Sequence, residues 1–162
     1  MQDYKIGTFV SHRSDGICKI VSIEEINGKP FYKLESTGDF HNIVYSPVDS
    51  QNQPFRNLIT KQETDDLLKY MTTITNFVVE SSKKRRELFK SLLYSNDPKK
   101  LVFLLKNLYL YKLDKEKKNQ FLSQEDKYIY KRVKKLLGEE FSIVLNINQE
   151  EADNKIKSFI IR

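Results

Sequence analysis

The sequence has no tryptophan, one cysteine and two histidines among its 162 residues. A single cysteine excludes an intramolecular disulfide framework. Cys18, His12 and His41 are the only thiol and imidazoles, and no two stand at C-x-x-C or H-x-x-x-H spacing, so no metal site is assigned. Glycine is scarce as well. The five fall singly at 7, 16, 28, 38 and 138, which leaves no phosphate-cradling loop and no G-x-S-x-G elbow. The adjacent pairs Asp65-Asp66 and Glu139-Glu140 diverge by about 100° on a helix, so they read as solvated helix surface and not as acid/base pairs. No catalytic residue and no cofactor is assigned, and no enzyme activity is expected. Long apolar runs are missing too. The longest, Leu101 to Leu105, is closed by Lys106 and falls far short of the ~20 residues that span a bilayer. The first residues, Met-Gln-Asp-Tyr-Lys-Ile-Gly, hold no apolar signal core. The expectation is a soluble cytoplasmic protein with no membrane partner.

What is present is aromatic and basic. Ten phenylalanines and nine tyrosines exclude a disordered tail, and a chain of this length buries roughly 68–70% of its unfolded surface without staples. The net charge of +6 is unevenly placed. Residues 1–60 carry 6 basic and 7 acidic side chains, whereas 83–135 carry 17 basic and 6 acidic. That asymmetry points to an anionic partner for the second half, nucleic acid being the usual one. A hydrated lysine-rich helical surface is the plain alternative.

The first sixty residues read as strands. Thr8–His12 precedes a turn at Ser14-Asp15-Gly16. Ile17 to Ile26 follows, with Ile17, Lys19, Val21 and Ile23 on one face by period two. Cys18 then falls on the other face, where it is expected to meet solvent. Asn27-Gly28 is a hairpin signal because both turn residues tolerate positive φ. Phe31–Leu34 returns, Thr37-Gly38-Asp39 turns again, and Asn42–Tyr45 runs out to Pro47. Proline cannot donate to a ladder, so this strand end belongs at an edge or terminus. Four or five short strands in this space predict a small barrel or strongly curled sheet.

The remainder reads as helices. Thr60-Lys61-Gln62-Glu63 is a capping box ahead of Leu67, Leu68 and Met71. Asp97-Pro98 opens a helix with Leu101, Leu104, Leu105 and Leu108 on one stripe. Ser123 starts another, with Ile129, Val133, Leu136, Leu137 and Phe141 inward. Asn148 caps a last one containing Ile156, Phe159 and Ile160. A further helix near 82–94 carries Leu88, Phe89, Leu92 and Leu93. The chain therefore divides near 55–60, into a β unit of residues 1–58 and a helical unit of 59–162. The fold class is α+β.

One constellation carries functional promise. Lys83, Lys84, Arg85 and Arg86 follow Ser81-Ser82 at a helix start. Four consecutive cations wrap most of a turn and cannot all turn inward, and the helix dipole disfavours them there. They are candidate phosphate contacts. A second cluster, Lys112, Lys115, Lys117 and Lys118, is placed on the loop after the leucine-rich helix.

Several segments taken in order carry a resemblance. They are Tyr4-Lys5-Ile6-Gly7-x-x-Val10, Gly16-Ile17-Cys18-x-Ile20, Ile23-Glu24, Tyr32-Lys33-Leu34, Val44-x-x-Pro47-Val48 and Arg56-x-Leu58. In the second half they are Leu92-Leu93-Tyr94-Ser95-Asn96-Asp97, Leu105-Lys106-x-Leu108-Tyr109, Leu122-Ser123-x-x-Asp126-Lys127 and Leu136-Leu137-x-Glu139-Glu140. This order resembles the CarD/CdnL family of bacterial transcription regulators over nearly the whole chain. The resemblance implies a Tudor-like, SH3-like small barrel that docks on a lobe of the RNA polymerase β subunit, partly by edge-strand pairing. The matching edge here is Asn42, Ile43, Val44, Tyr45, Ser46 and Pro47. It also implies a helical domain that touches promoter DNA and stabilises the open complex, with Ser82, Lys83, Lys84, Arg85 and Arg86 as DNA-binding residues. Two departures accompany it. Family members insert a tryptophan into the minor groove, and an ungapped alignment on Ser95-Asn96-Asp97 puts Ser82 there. Phe77 takes that place only with an insertion. Tyr45 stands where some members have a basic residue. The other readings are a polymerase-binding or other protein-interaction module without DNA action, and an RNA- or ribosome-associated binding protein.

Overall fold

The computed structural model describes residues 3–78 and 81–162. The chain forms two compact units, Met1–Leu58 and Ile59–Arg162.

The first unit is one antiparallel sheet of β1 (Phe9–His12), β2 (Gly16–Ile26), β3 (Lys29–Ser36), β4 (Ile43–Pro47) and β5 (Phe55–Asn57), in the order β4-β3-β2-β1-β5. Asn27 and Gly28 both take positive φ, at 53° and 78°, and close a two-residue hairpin between Ile26 and Lys29. The core comprises Val10, Cys18, Ile20, Tyr32, Leu34 and Phe55. Cys18 is fully buried, while Lys19 is exposed and Ile23 is 46% exposed. The inward face of β2 is thus opposite to the one its period-two pattern suggests. Apolar residues occupy both faces of Ile17–Ile23, so alternation alone does not choose between them. The register shift between Ile20 and Ser22 then re-aims the rest of the strand.

No ladder joins the edge strands β4 and β5, so the sheet is open by pairing. It is nonetheless strongly curled. Tyr32 on β3 and Phe55 on β5 are separated by β2 and β1, which in a flat sheet would set them roughly 14 Å apart. Their ring centroids lie 6.0 Å apart, with Tyr4 edge-on to both at 5.9 and 4.8 Å. Gln53, in the β4–β5 connection, ties back to β4 by side chain. Its Nε2 donates to the Pro47 carbonyl (2.7 Å), and its Oε1 accepts from Ser46 Oγ.

His12 makes the stability of this unit sensitive to pH. Its side chain is almost fully buried, and its Nδ1 accepts the Ser14 and Asp15 amides, each at 3.2 Å. Asp15 Oδ2 is also 3.1 Å away and favours protonation, but burial is the larger effect and holds the imidazole pKa below its ordinary value. The folded state therefore binds this proton less readily than the unfolded one. The contribution is intact above about pH 6.5 and is lost as pH falls below that, through the lower folded value. Urea midpoints of this unit, measured from neutral to mildly acidic pH, are expected to fall. His12→Asn, which keeps an acceptor without the titration, is expected to flatten the slope.

The second unit contains α1 (Lys61–Thr73), α2 (Ser82–Leu93), α3 (Pro98–Lys117), α4 (Gln124–Leu145) and α5 (Gln149–Ile160). Their starts follow local chemistry. Thr60 and Asn148 complete capping boxes with Glu63 and Glu151, and Asp97 and Ser123 accept first-turn amides. The predicted stripes converge on one core, including Leu68, Met71, Phe89, Leu104, Leu108, Val133 and Phe141. Gly138 lies where α5 approaches α4, since a Cβ there would collide with the Gln149 and Asp153 side chains.

Two expectations are corrected. Lys112, Lys115 and Lys117 are not on a loop: α3 runs through Lys117, with Lys118 as its C-cap. Pairs one turn apart, Lys112–Glu116 and Asp114–Lys118, support the helix through this charged stretch. Glu140 is also not solvated surface. It is 2% exposed, and its Oε1 accepts the Ile59 amide at 3.0 Å.

Candidate functional site

Two surfaces collect the residues singled out by sequence, one on each unit. The first is β4. It pairs only with β3, from Glu35↔Ile43 to Phe31↔Pro47. The Ser36 amide donates to the Asn42 carbonyl (2.9 Å), and the Val48 amide to the Pro30 carbonyl (3.0 Å). Antiparallel pairs alternate between bonded and non-bonded, so Val44 and Ser46 turn their backbone groups toward β3. Ile43, Tyr45 and Pro47 turn theirs to the open side. Ile43 and Tyr45 thus offer amides and carbonyls outward. Pro47 has no N–H to offer, and its carbonyl is occupied by Gln53 and the Ser50 amide.

The side chains alternate accordingly. Ile43 and Tyr45 are 55% and 42% exposed, Val44 packs against the core, and Ser46 is buried. Asn42 is exposed, with its amide donating to Ser36 Oγ and its side chain to Asp15. The Tyr45 hydroxyl donates to Glu24 (3.2 Å), which also pairs with Lys33 at 3.3 Å. Desolvation pushes the Glu24 carboxyl up, but its bonds to Lys33, Ser22 and Tyr45 outweigh this and hold it below its ordinary value. The edge is therefore bordered by an acid–base–phenol cluster with fixed geometry.

The second surface is the start of α2. Ser81 caps the helix by accepting the Lys84 amide, and Ser82, Lys83, Lys84 and Arg86 are exposed. Arg85 differs. It is 8% exposed, its guanidinium lies 3.2 Å from Asp126 of α4, and it stacks 4.5 Å from the Tyr111 ring. Helical spacing explains this: Arg85, Phe89 and Leu92 fall at i, i+4 and i+7 and share the inward face. Arg85 is thus an internal anchor, and not part of the exposed cationic group. Arg86 reaches Glu125 at 3.6 Å, and Lys90 reaches the same carboxylate at 2.8 Å. The Lys90 hydrogen bond is the main reason the Glu125 carboxyl sits below its usual range. Lys83 and Lys84 have no carboxylate partner among the described residues.

Phe77 does not project. It is half-buried, with its ring 5.5 Å from that of Tyr111. Sequence reasoning missed Tyr111, which gathers Phe77, Arg85 and Lys115 around one ring. It also missed Asp126, whose position at the N-terminus of α4 disguises it as a capping carboxylate. Among the described residues, no three His, Cys, Asp or Glu side chains stand together as metal ligands. No described helix is long and apolar enough to cross a membrane.

Residues 4–59 match the family model described as the CarD-like/TRCF RID domain. No curated protein matches the chain. The matched span takes in all five strands and the β4 edge. The β unit of this chain is thus similar to the CarD-like/TRCF RID domain family, whose members are involved in RNA polymerase interaction.

Proposed function

We propose that the chain is a transcription regulator of bacterial, cytoplasmic type. It docks on the RNA polymerase β subunit through β4 and contacts promoter DNA through α2. The curled sheet serves as a Tudor- or SH3-like platform for this docking. The observation that carries the reading is the open side of β4, where Ile43 and Tyr45 present backbone groups within the matched domain. A partner strand laid there gains main-chain hydrogen bonds, while Ile43, Tyr45 and the Glu24–Lys33 pair supply side-chain recognition. Lys83 and Lys84 hold phosphates of the duplex. No reaction is involved. A protein that binds the open promoter complex more tightly than the closed one shifts that equilibrium by its differential affinity.

A second reading is favoured by two observations at α2. Ser82 is too small to fill an unstacked base step, and Arg85 is internal. On this reading the chain binds polymerase and leaves DNA alone.

One experiment separates them. Tyr45→Pro removes an outward N–H without removing a β3–β4 ladder bond. It is expected to weaken binding of the full chain to the β lobe by at least about tenfold, the worth of one hydrogen bond, with the loss of the Tyr45 side chain adding to it. Unchanged affinity would sink the docking mode. In the same assay with promoter DNA, Lys83→Gln and Lys84→Gln are each expected to lower the salt slope by about 0.9 and to shorten open-complex lifetime. Slopes unaltered by both substitutions favour the second reading.

A further inference from the structure

The turn between α3 and α4 carries an aromatic that neither surface above uses. Phe121, between C-cap Lys118 and N-cap Ser123, is 79% exposed. A single exposed ring needs no explanation on its own, but its surroundings set this one apart. Lys127 Nζ stands 5.9 Å from the ring centroid. Beside it is a hollow of about 250 Å³ lined by Phe121, Leu122 and Tyr130, together with Lys112, Glu116 and Lys127. That lies below the roughly 300 Å³ at which drug-sized pockets begin, so it suits one planar ring better than a whole small molecule.

The charge around the turn is also distinctive. Each carboxylate between positions 112 and 131 is met by a cation: Asp114 by Lys118 (2.9 Å), Glu116 by Lys112 (3.7 Å), Glu125 by Lys90 (2.8 Å) and Asp126 by Arg85 (3.2 Å). Lys127, at the ring, and Lys115, whose Nζ donates to Gln120 beside it (3.3 Å), are left over as positive charge. A continuous apolar patch would suit a protein partner. One exposed ring amid surplus cations suits a strand that offers ring faces and phosphates together.

We infer that Phe121 is a stacking platform for an unpaired nucleic-acid base, with Lys127 and Lys115 holding phosphates of the same strand. This rests on the reading that the helical unit contacts nucleic acid, and it adds a different form of ligand: Lys83 and Lys84 engage duplex backbone, whereas Phe121 needs a base whose face is uncovered. Duplex bases are stacked on both faces, so the site discriminates open from closed DNA without reading sequence.

The test measures fluorescence anisotropy of the full chain with labelled oligo(dT), oligo(rU) and a duplex of matched length. Phe121→Ala is expected to weaken single-strand binding about 5- to 100-fold, with duplex binding nearly unchanged and Phe121→Tyr close to the parent. Because the side chain is largely in solvent, truncation leaves the fold intact, which circular dichroism checks. Phe40→Ala, which removes an 89% exposed ring of the β unit, is expected to have no effect. The two oligomers sort DNA from RNA as the strand, and Phe121 dependence with either supports the proposal. Equal single-strand binding by Phe121→Ala and parent overturns it, as does an equal loss from Phe40→Ala. Either of those results, alongside duplex binding that depends on Lys83 and Lys84, leaves the reading of α2 standing. Absence of binding to any of the three removes both.

Discussion

Asp126→Ala is expected to destabilise the helical unit by about 3–5 kcal/mol, the cost of stranding one member of a buried ion pair. Asp126 is fully buried and Arg85 nearly so, and their 3.2 Å contact joins α2 to α4. Removing the carboxylate leaves a guanidinium inside the bundle near the N-terminus of α2, where the helix dipole also opposes it. Arg85→Ala is expected to cost a similar amount by leaving a buried carboxylate, partly relieved by the first turn of α4. The pair is incompletely satisfied even in the parent: among the described residues, neither Arg85 Nε nor Asp126 Oδ1 has a hydrogen-bond partner. Replacing both partners, as in Arg85→Met with Asp126→Leu, is therefore expected to recover most of the loss. Urea titrations of the four proteins at constant m-value make the double-mutant cycle. Single losses under ~1 kcal/mol, typical of exposed pairs, would place the interaction at the surface. This bears on function too. An Arg85 variant weakens any DNA contact of α2 simply by loosening the helix, so it does not test phosphate binding. Lys83 and Lys84 do.

Tyr32→Ala carries the second large effect, about 3–5 kcal/mol for the β unit. Tyr32 is 1% exposed and joins the three-ring cluster with Tyr4 and Phe55 that links β3 to β5. Its hydroxyl accepts the Tyr4 amide at 3.2 Å, which fastens the N-terminal segment across the sheet. Truncation removes the ring contacts on both sides at once, and the cavity faces strands whose curvature the ring maintains. Tyr32→Phe keeps the rings and loses one hydrogen bond, so about 1 kcal/mol is expected. Amide exchange of the β2–β3 ladder reports the change, with helical amides as internal reference. Equal protection in Tyr32→Ala and parent would mean that the curl is set by β2 alone.

How far the sequence reveals this structure depends on the range of the chemistry involved. Thr60, Asp97, Ser123 and Asn148 are legible as caps because a cap and its amide lie within a turn of each other. Asn27-Gly28 is legible for the same reason, and Pro47 announces the strand edge that carries the docking candidates. The burial of Arg85 is not legible, because its carboxylate partner lies 41 residues onward. Nor is that of Glu140, whose donor Ile59 is 81 residues earlier. The inward face of β2 is hidden by apolar residues on both sides of the strand and by the irregularity after Ile20. Among the candidate residues, the sequence identifies the exposed cations Lys83, Lys84 and Arg86 but treats Arg85 as their equal. It flags the β4 segment as a whole, whereas pairing parity separates outward Ile43 and Tyr45 from inward Val44 and Ser46.

Pro47 has a consequence for how the chain behaves in the company of its own copies. Exposed strand edges are templates for self-association, and a long flat one invites chains to stack without limit. On β4 the outward row holds only the amides of Ile43 and Tyr45 before Pro47 interrupts it. Two copies meeting edge to edge gain few hydrogen bonds against the entropy of association, and the proline blocks the pairing from growing past that point. The chain can therefore keep an adhesive edge exposed at high concentration without aggregating through it. Lasting attachment is reserved for a partner whose side chains recognise what lies beside the strand.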